Sequence, residues 1–282
     1  MLNIVKSSLE IGLEKPVKLL HVTDTHITEI DERDNDERKR ALCVRNPIAQ
    51  ITQNFRDTID YCNKNCDMMA HTGDLINVVT HRSLEVVREC LDACDNYSLV
   101  TGNHEYSQYC GEAWEDIAYK MTYYPMVRHY LKEDLLFSAK EVGGVNVVGI
   151  DDSYYQVEPW QVWRLKQEVK KGLPIVLMMH VPLFEESLFE VSMSRHTSDG
   201  IAYLTGCDEE HLMRFHNEFR EVQQRPTDDT LRFIDYVYSE PLIKCVLAGH
   251  IHFNYESILP CGIPQFVTSL NCEGDARELT LY

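Results

Sequence analysis

Aspartate, asparagine and histidine side chains that could bind metal ions recur in short groups along this sequence. The groups are Asp24-Thr25-His26, Gly73-Asp74, Gly102-Asn103-His104-Glu105, His180 alone and Gly249-His250-Ile251-His252. Carboxylate oxygen, amide oxygen and imidazole nitrogen together suit divalent or trivalent ions such as Mn, Fe, Zn, Co or Ni. No cysteine belongs to the groups, which argues against a structural zinc site. Because D-x-H and H-x-H each place two ligands on one side of an extended segment, the pattern indicates two bound ions.

Each group directly follows a segment that is predicted to be a strand. Short apolar runs identify these strands as residues 17–22, 67–70, 98–100, 175–179 and 245–248. In open α/β sheets, ligands bind at the carboxyl ends of the strands because the loops there converge on one crevice. The loops are therefore predicted to bring their side chains to one site.

The chain as a whole alternates between strand and helix patterns. Apolar residues recur at helical spacing over residues 48–62 and 84–94, so the first three strands are predicted to form parallel βα units. Gly143-Gly144 separates two apolar runs and predicts a hairpin, and short runs after residue 253 predict strands that close a second sheet. The predicted fold class is α/β, a four-layer α/β/β/α sandwich of two mixed β-sheets with the dimetal site at the carboxyl ends of the strands.

A single domain over residues 1–282 is the simplest interpretation, because no repeat, low-complexity tract or linker interrupts the sequence. Residues 184–225 are mostly polar and are predicted to be an insertion near the site, a candidate lid or substrate-specificity region, with helices predicted over 209–224 and, beyond it, 228–238. Within the insertion, Arg195 and His196 are candidates for contacting a substrate phosphate, and a solvated loop is the alternative.

The chain is strongly acidic. It has 45 acidic and 27 basic residues and a formal net charge of −18, which repels polyanions, so an extended nucleic-acid partner is not expected. No apolar run reaches the roughly 18 residues of a membrane span, and no signal-peptide pattern is present at residues 1–12, so a cytoplasmic protein without a membrane partner is expected. The ten cysteines are interpreted as reduced, mostly buried thiols. The oligomeric state is left open.

The order of the motifs, D-x-H, G-D, G-N-H-E, a single histidine after a strand and G-H-x-H, resembles that of the calcineurin-like metallophosphoesterase superfamily. The resemblance extends over residues 19–253. The ligands that it implies are Asp24, His26 and His252 for a first ion, Asn103, His180 and His250 for a second, and Asp74 as the bridge between them. It also implies that His104 is a catalytic histidine near the leaving group and not a metal ligand.

The predicted function is that of a dinuclear metal-dependent phosphoesterase. Two adjacent cations lower the pKa of a shared water molecule and neutralise phosphoryl oxygens, so a metal-bridging hydroxide is expected to attack phosphorus. His104 is expected to protonate the leaving group, with Asp24 or Glu105 as candidates for orienting its ring. The predicted partner is a small phosphodiester or phosphomonoester, such as a cyclic nucleotide, a nucleotide or a lipid-derived phosphate. Mn, Fe and Zn are the favoured ions, and Ni and Co are alternatives.

Two other functions are compatible with parts of the pattern. A nuclease or protein phosphatase of the same superfamily would need a longer groove, and the acidity of the chain disfavours a nuclease. The sequence after Asp74 is Leu-Ile-Asn, which lacks the Asp-Arg-Gly of the Ser/Thr protein phosphatases. A noncatalytic metal-bound scaffold is disfavoured because all seven ligands and His104 are present.

Three further residues lie beside the motifs. His71 precedes Asp74 and could orient a ligand, although a core histidine is favoured. Asp151 and Asp152 follow the predicted strand at 145–150 and are interpreted as turn formers. For Asp151 and Asp152, the alternative is that they support a ligand or contact the substrate.

Overall fold

Two β-sheets with helices on their outer faces make up the structure, a computed structural model that describes residues 1–44, 48–108, 117–196, 203–214 and 224–282. The strands are β1 (Asn3–Leu9), β2 (Val17–Val22), β3 (Met68–His71), β4 (Tyr97–Leu99), β5 (Phe137–Val142), β6 (Val145–Ile150), β7 (Ile175–Met178), β8 (Ile243–Ala248), β9 (Tyr255–Ile258), β10 (Pro264–Val267) and β11 (Asp275–Leu281).

Helices occur between the strands and in the predicted insertion. They are α1 (Glu37–Val44), α2 (Ile48–Asn65), α3 (His81–Leu91), α4 (Ile117–Leu131), α5 (Pro159–Val169), α6 (Glu186–His196), α7 (Glu209–Leu212) and α8 (Asp228–Ser239). None of the helices within the described ranges is both long and apolar enough to cross a lipid bilayer.

The first sheet is mixed and has the strand order β1-β11-β2-β3-β4. β2, β3 and β4 are parallel, as expected for strands that are connected by crossover helices. β11 pairs with β2 in antiparallel orientation and with β1 in parallel orientation. The sequence patterns do not predict β1, because its few apolar residues alternate irregularly with polar ones; it becomes a strand by pairing with the other end of the chain, Asn3 opposite Asp275.

The second sheet is also mixed and has the strand order β5-β6-β7-β8-β10-β9. Its four central strands are parallel, and the two edge strands β5 and β9 are antiparallel to their neighbours. The turn between β5 and β6 is Gly143-Gly144, with φ angles of 54° and 90°. Positive φ at both central residues is what the type I′ turn of a two-residue hairpin requires, and Val142 pairs with Val145 across it, so the predicted hairpin is confirmed.

Three apolar clusters hold the layers together. The cluster between the two sheets contains Leu19, Met68, Val147, Val176 and Leu247. A second cluster packs α2, α3 and α4 against the first sheet, and a third packs α5 and α8 against the second sheet. The predicted four-layer α/β/β/α sandwich of two mixed sheets is therefore confirmed.

The predicted insertion is described in part. α6 and α7 lie within it, and buried Leu188, Phe189 and Leu212 pack against Ile251 and Phe253 in the loop after β8. Of the helix predicted over 209–224, the structure has α7, which ends at Leu212, and residues 215–223 lie outside the described residues. The single-domain assignment and the role of the insertion as a lid stay predictions.

Candidate metal centre

All of the predicted ligand loops meet at the carboxyl ends of the strands. β2 leads to Asp24 and His26, β3 to Asp74, β4 to Asn103, β7 to His180, and β8 to His250 and His252. Backbone hydrogen bonds join these loops: the N–H of Asp24 donates to the carbonyl of Gly73 at 3.0 Å, and the N–H of His26 donates to the carbonyl of Asp74 at 2.9 Å. The loops of the two ligand-bearing strands β2 and β3 therefore position each other.

Many of the candidate ligands have a left-handed backbone conformation. Among the non-glycine residues that the structure describes, positive φ angles occur at Lys132, at Tyr155 and at the ligands Asp24 (52°), His26 (49°), Asp74 (56°), His250 (68°) and His252 (61°). This conformation costs free energy for a residue with a Cβ atom, and such residues cluster at functional sites. The strain is concentrated where the strands end and the ligands begin.

Asp24, His26 and His252 form one ligand group. The Oδ1 atom of Asp24 lies 3.6 Å from Nε2 of His26 and 3.3 Å from Nε2 of His252. The Oδ2 atom accepts hydrogen bonds from the backbone N–H of His250 at 3.0 Å and from the hydroxyl of Thr23 at 2.7 Å, which fixes the orientation of the carboxylate. The three ligand atoms lie within 4.8 Å of one another, a separation that one cation can span.

Asp74 occupies the centre of the site. Its Oδ2 atom lies 3.9 Å from Nε2 of His26 on one side and 3.3 Å from Nε2 of His180 on the other. Its Oδ1 atom accepts a hydrogen bond from the backbone N–H of His104 at 2.9 Å. The carboxylate thus faces ligands of both groups, as the bridging role implied by the resemblance requires.

Asn103, His180 and His250 are the remaining candidate ligands. The His180 and His250 rings are 5.1 Å apart between centroids, at an interplanar angle of 73°. Nδ1 of His180 donates to the carbonyl of Thr72 at 2.8 Å, and this bond directs the other nitrogen, Nε2, toward Asp74. All three side chains are buried.

Several buried polar atoms of the candidate ligands have no hydrogen-bond partner. They are Oδ1 of Asp24, both ring nitrogens of His26, Oδ1 of Asn103, Nε2 of His180 and Nε2 of His250. A buried polar atom without a partner is costly, and native structures contain few of them. Because all of these atoms can bind a cation, the residues present fit a dinuclear metal centre.

Charge within the site is paired between carboxylates and imidazoles. Burial would raise the pKa of Asp74, but His180 and His104 lower it well below its usual value. Burial lowers the pKa of His180, but the neighbouring Asp74 carboxylate outweighs burial and raises it to about 10. Burial lowers the pKa of His250 to about 3, so this imidazole is neutral. A cation that binds between Asp74 and His180 therefore has to replace a proton.

Proton release on metal binding is the expected consequence. Since Nε2 of His180 has to lose its proton, the apparent affinity of the metal-free protein for Mn²⁺ should rise by up to about tenfold per pH unit between pH 7 and 9. Titration calorimetry at pH 7 in two buffers of different ionisation enthalpy should detect about one proton released per chain. A metal affinity that does not change over this pH range would contradict the assigned ligand role of His180.

Glu105 connects the loops after β3 and β4. Its carboxylate accepts hydrogen bonds from four backbone N–H groups: Gly102 at 2.6 Å, Asp74 at 3.0 Å, Leu75 at 2.5 Å and Ile76 at 3.3 Å. Burial and the neighbouring Asp74 raise the pKa of Glu105 to about 8. This residue is thus occupied in holding the two ligand loops together.

Two glycines allow the loops to approach each other. A Cβ atom on Gly102 would lie 2.2 Å from Oδ1 of Asp74 and 2.8 Å from Cδ2 of His180. A Cβ atom on Gly249 would lie 1.9 Å from Oγ1 of Thr23. Any side chain at either position would therefore displace a candidate ligand or a residue that orients one.

His71, Asp151 and Asp152 are three further polar residues next to the ligand loops. His71 is buried; it accepts a hydrogen bond from the N–H of Gly73 at 3.2 Å and bonds to the hydroxyl of Thr25 at 2.8 Å. Asp152 accepts from the N–H of His180 at 2.8 Å. Asp151 pairs with Lys120. Asp152 thus holds the backbone of the candidate ligand His180, whereas Asp151 accepts from the N–H of Ser153 at 3.2 Å, as a turn former does. His71 is a buried, hydrogen-bonded histidine next to the ligand loops.

His104 lies beside the ligands with its ring oriented by Asn77. Nδ1 of His104 donates to the carbonyl oxygen of Asn77 at 2.7 Å, and Nε2 lies 3.9 Å from Oδ2 of Asp74. Asp24 and Glu105, the two carboxylates expected to orient this ring, hold other groups instead. The backbone carbonyl of Asn77 carried no signal in the sequence, because any residue type can supply one.

The end of α6 contacts the loop that carries His250 and His252. The guanidinium of Arg195 lies 4.3 Å from the ring centroid of Phe253, and Nε2 of His196 donates to the carbonyl of Ile251 at 3.0 Å. Arg195 is exposed. The structure therefore places the Arg195 guanidinium at the rim of the site, next to the segment that carries His250 and His252.

The sequence was compared with models of known protein families and with curated proteins. Residues 17–254 match the family model described as calcineurin-like phosphoesterase. No curated protein sequence matches significantly.

One solved structure supports the same fold, and two others are less similar. The structure of a dimetal phosphatase from Danio rerio is similar with a TM-score of 0.53 at 12% identity, over 91% of this chain and 88% of that chain. Weaker similarity relates the chain to an NAD nucleotidase from Haemophilus influenzae (TM-score 0.43, 12% identity, 90% of this chain and 45% of that one). A 5′-nucleotidase from Candida albicans is similar at a TM-score of 0.41 and 14% identity, over 91% of this chain and 46% of that one. The family match covers most of the sequence, and the chain belongs to the calcineurin-like phosphoesterase family and is a metal-dependent phosphoesterase.

Proposed function

We propose that this protein hydrolyses a small phosphodiester or phosphomonoester, such as a cyclic nucleotide or a nucleotide, with two metal ions held by the seven candidate ligands. The observation that carries the proposal is the position of Asp74 between two groups of ligands. On both sides of it, buried nitrogen and oxygen atoms have no partner in the protein. Asp24, His26 and His252 are proposed to hold one ion, and Asn103, His180 and His250 the other.

The side chains of the site divide into metal ligands and a proton donor. When bound, two such ions lower the pKa of a water molecule and neutralise phosphoryl oxygens. Nδ1 of His104 donates to the Asn77 carbonyl, and Nε2 lies on the side of the ring that faces Asp74. We assign to this nitrogen the transfer of a proton to the leaving oxygen of the ester.

Access and charge support a small substrate. The side chains of His26 and His104 are 12% and 14% exposed, that of His252 is 26% exposed, and Asn103 and His180 are buried. A substrate thus reaches the ligands past three histidines. The net charge of −18 disfavours a polyanion, whereas Arg195 at the rim offers one cation to a second anionic group on a small molecule.

A substrate panel with metal analysis tests the proposal. We expect purified protein loaded with Mn²⁺ to contain about two ions per chain and to hydrolyse at least one small ester among chromogenic diesters and monoesters, cyclic nucleotides and nucleotides. Removal of metal by a chelator should abolish the turnover, and adding Mn²⁺ back should restore it. Undiminished turnover by the stripped protein would contradict the metal-dependent mechanism. No turnover of any ester by the loaded protein would favour a noncatalytic scaffold, and hydrolysis of nucleic acid or phosphoprotein alone would favour the other two alternatives.

The native ions are proposed to be Mn, Fe or Zn, from the chemistry of the donor set. The cytoplasmic location and the absence of nucleic-acid and membrane partners stay predictions.

A further inference from the structure

Tyr155 shares two unusual properties with the candidate metal ligands. It lies in the turn after β6, where its N–H donates to the carbonyl of Asp152 at 2.7 Å, and its φ angle is +64°. Its side chain is fully buried, and its hydroxyl has no hydrogen-bond partner. Among the described residues, the non-glycine residues that combine a positive φ with an unpartnered buried polar side-chain atom are Asp24, His26, Tyr155 and His250.

The ring of Tyr155 lies against the second ligand group. Its centroid is 5.8 Å from that of His250, at an interplanar angle of 69°. After burial, the carboxylates of Asp74 and Asp152 are the groups that raise the pKa of the Tyr155 hydroxyl. Tyr155 therefore lies on the side of Asp74 where His180 and His250 are found.

A structural role does not account for this hydroxyl. A buried phenol that lacks a partner costs free energy compared with a phenylalanine of the same shape, so packing alone favours phenylalanine. The left-handed backbone adds a second cost at the same residue. Both costs are acceptable where the hydroxyl has a partner that the folded chain itself does not supply.

We propose that Tyr155 is a further catalytic residue, whose hydroxyl donates a hydrogen bond to an oxygen of the phosphate group bound beside His250. The inference rests on the proposed phosphoesterase function. A phenol keeps its proton at neutral pH because its ordinary pKa is about 10, so it acts as a donor toward an anionic oxygen. A donor of this kind stabilises the charge of the phosphoryl group in the transition state and in the bound product.

Tyr203 is a matched control in the same apolar cluster. Its ring centroid is 5.0 Å from that of Tyr155, and it is equally buried. Unlike Tyr155, it has a protein partner, because its hydroxyl donates to the carbonyl of Gln224 at 2.5 Å. Tyr155→Phe and Tyr203→Phe therefore remove the same atom from the same apolar cluster. The hydroxyl of Tyr155 has no partner in the chain, whereas that of Tyr203 has one.

Thermal unfolding of the metal-free proteins gives a readout that is independent of activity. We expect Tyr155→Phe to leave the Tm unchanged or to raise it. Tyr203→Phe should lower the Tm by about 2–4 °C, because it leaves the Gln224 carbonyl without its donor. A fall in Tm for Tyr155→Phe as large as that for Tyr203→Phe would overturn the proposal, since it would show that the hydroxyl has a structural partner.

Binding of inorganic phosphate to the Mn²⁺-loaded proteins gives the second readout. Tyr155→Phe should keep the metal content of the wild type, weaken phosphate binding by about 10- to 100-fold and lower kcat/KM by a similar factor, whereas Tyr203→Phe should change neither. Phosphate affinity and kcat/KM equal to those of the wild type in Tyr155→Phe would overturn the inference alone. A wild-type protein that neither binds phosphate nor hydrolyses any ester would overturn the proposed function and the inference with it.

Discussion

Asp74→Asn is expected to lower kcat/KM for a chromogenic phosphodiester by about 10³-fold or more in protein supplied with Mn²⁺. The substitution keeps the shape of the side chain but removes the charge that faces both ligand groups, 3.9 Å from Nε2 of His26 and 3.3 Å from Nε2 of His180. A bound metal ion contributes several kcal/mol of charge stabilisation, and each 1.36 kcal/mol corresponds to about a factor of ten in rate. The measurement is steady-state kinetics together with the metal content of the purified variant.

Asp60→Asn is a suitable control for this variant. Asp60 is an exposed carboxylate on α2, so the control makes the same chemical change away from the site. We expect the control to keep its metal and its rate, and Asp74→Asn to lose metal as well as rate. Robust turnover by Asp74→Asn at wild-type metal content would show that the carboxylate does not bridge the ions.

His104→Ala is expected to keep its metal and to lose rate, by about 10²- to 10⁴-fold for esters with poor leaving groups. Nε2 of His104 lies 3.9 Å from Oδ2 of Asp74, and its Nδ1 is held by the Asn77 carbonyl at 2.7 Å. An alkoxide of high pKa needs a proton as it leaves, whereas a nitrophenolate leaves readily without one. The loss should therefore be smaller for nitrophenyl esters, which a series of substrates with graded leaving-group pKa would measure.

The metal content of His104→Ala separates two roles for this histidine. His26, Asp74 and His104 also form a group whose ligand atoms lie within 4.8 Å of one another, so the geometry accommodates His104 as a ligand. A fall in bound metal that accompanies the loss of rate would assign it to that role and contradict proton donation. His129→Ala, at an exposed position on α4, is the control that removes an imidazole outside the candidate ligand groups and should change neither quantity.

Much of the fold could be predicted because short apolar patterns and turn residues indicate its elements locally. The bounds of β2 and β6 agree with the predicted strands, and Gly143-Gly144 forms the predicted turn. β1 could not be predicted in this way, because its strand conformation depends on pairing with β11 at the other end of the chain. Periodicity reports which face of an element is buried, and it does not report a partner that lies far away in sequence.

The candidate site, too, could be predicted from the sequence only in part. Ligand types, their order and their positions after strands follow from the sequence, since chemistry is a property of residue type and strand ends are locally visible. The hydrogen bonds that hold the ligand loops and His104 in place do not follow from the sequence. Glu105 bonds to four backbone N–H groups of two loops, and the Asn77 carbonyl orients His104, because the folded chain brings these backbone groups together.

The sequence alone thus identifies seven metal-capable side chains and a neighbouring histidine after successive strands, together with the family to which the chain belongs. The left-handed turns at Asp24, Asp74 and His250 and the unpartnered hydroxyl of Tyr155 become visible in the folded chain. The physical reason is that residue type sets what an atom can bind, whereas strained turns and buried atoms without partners exist only because the packed chain holds them in place.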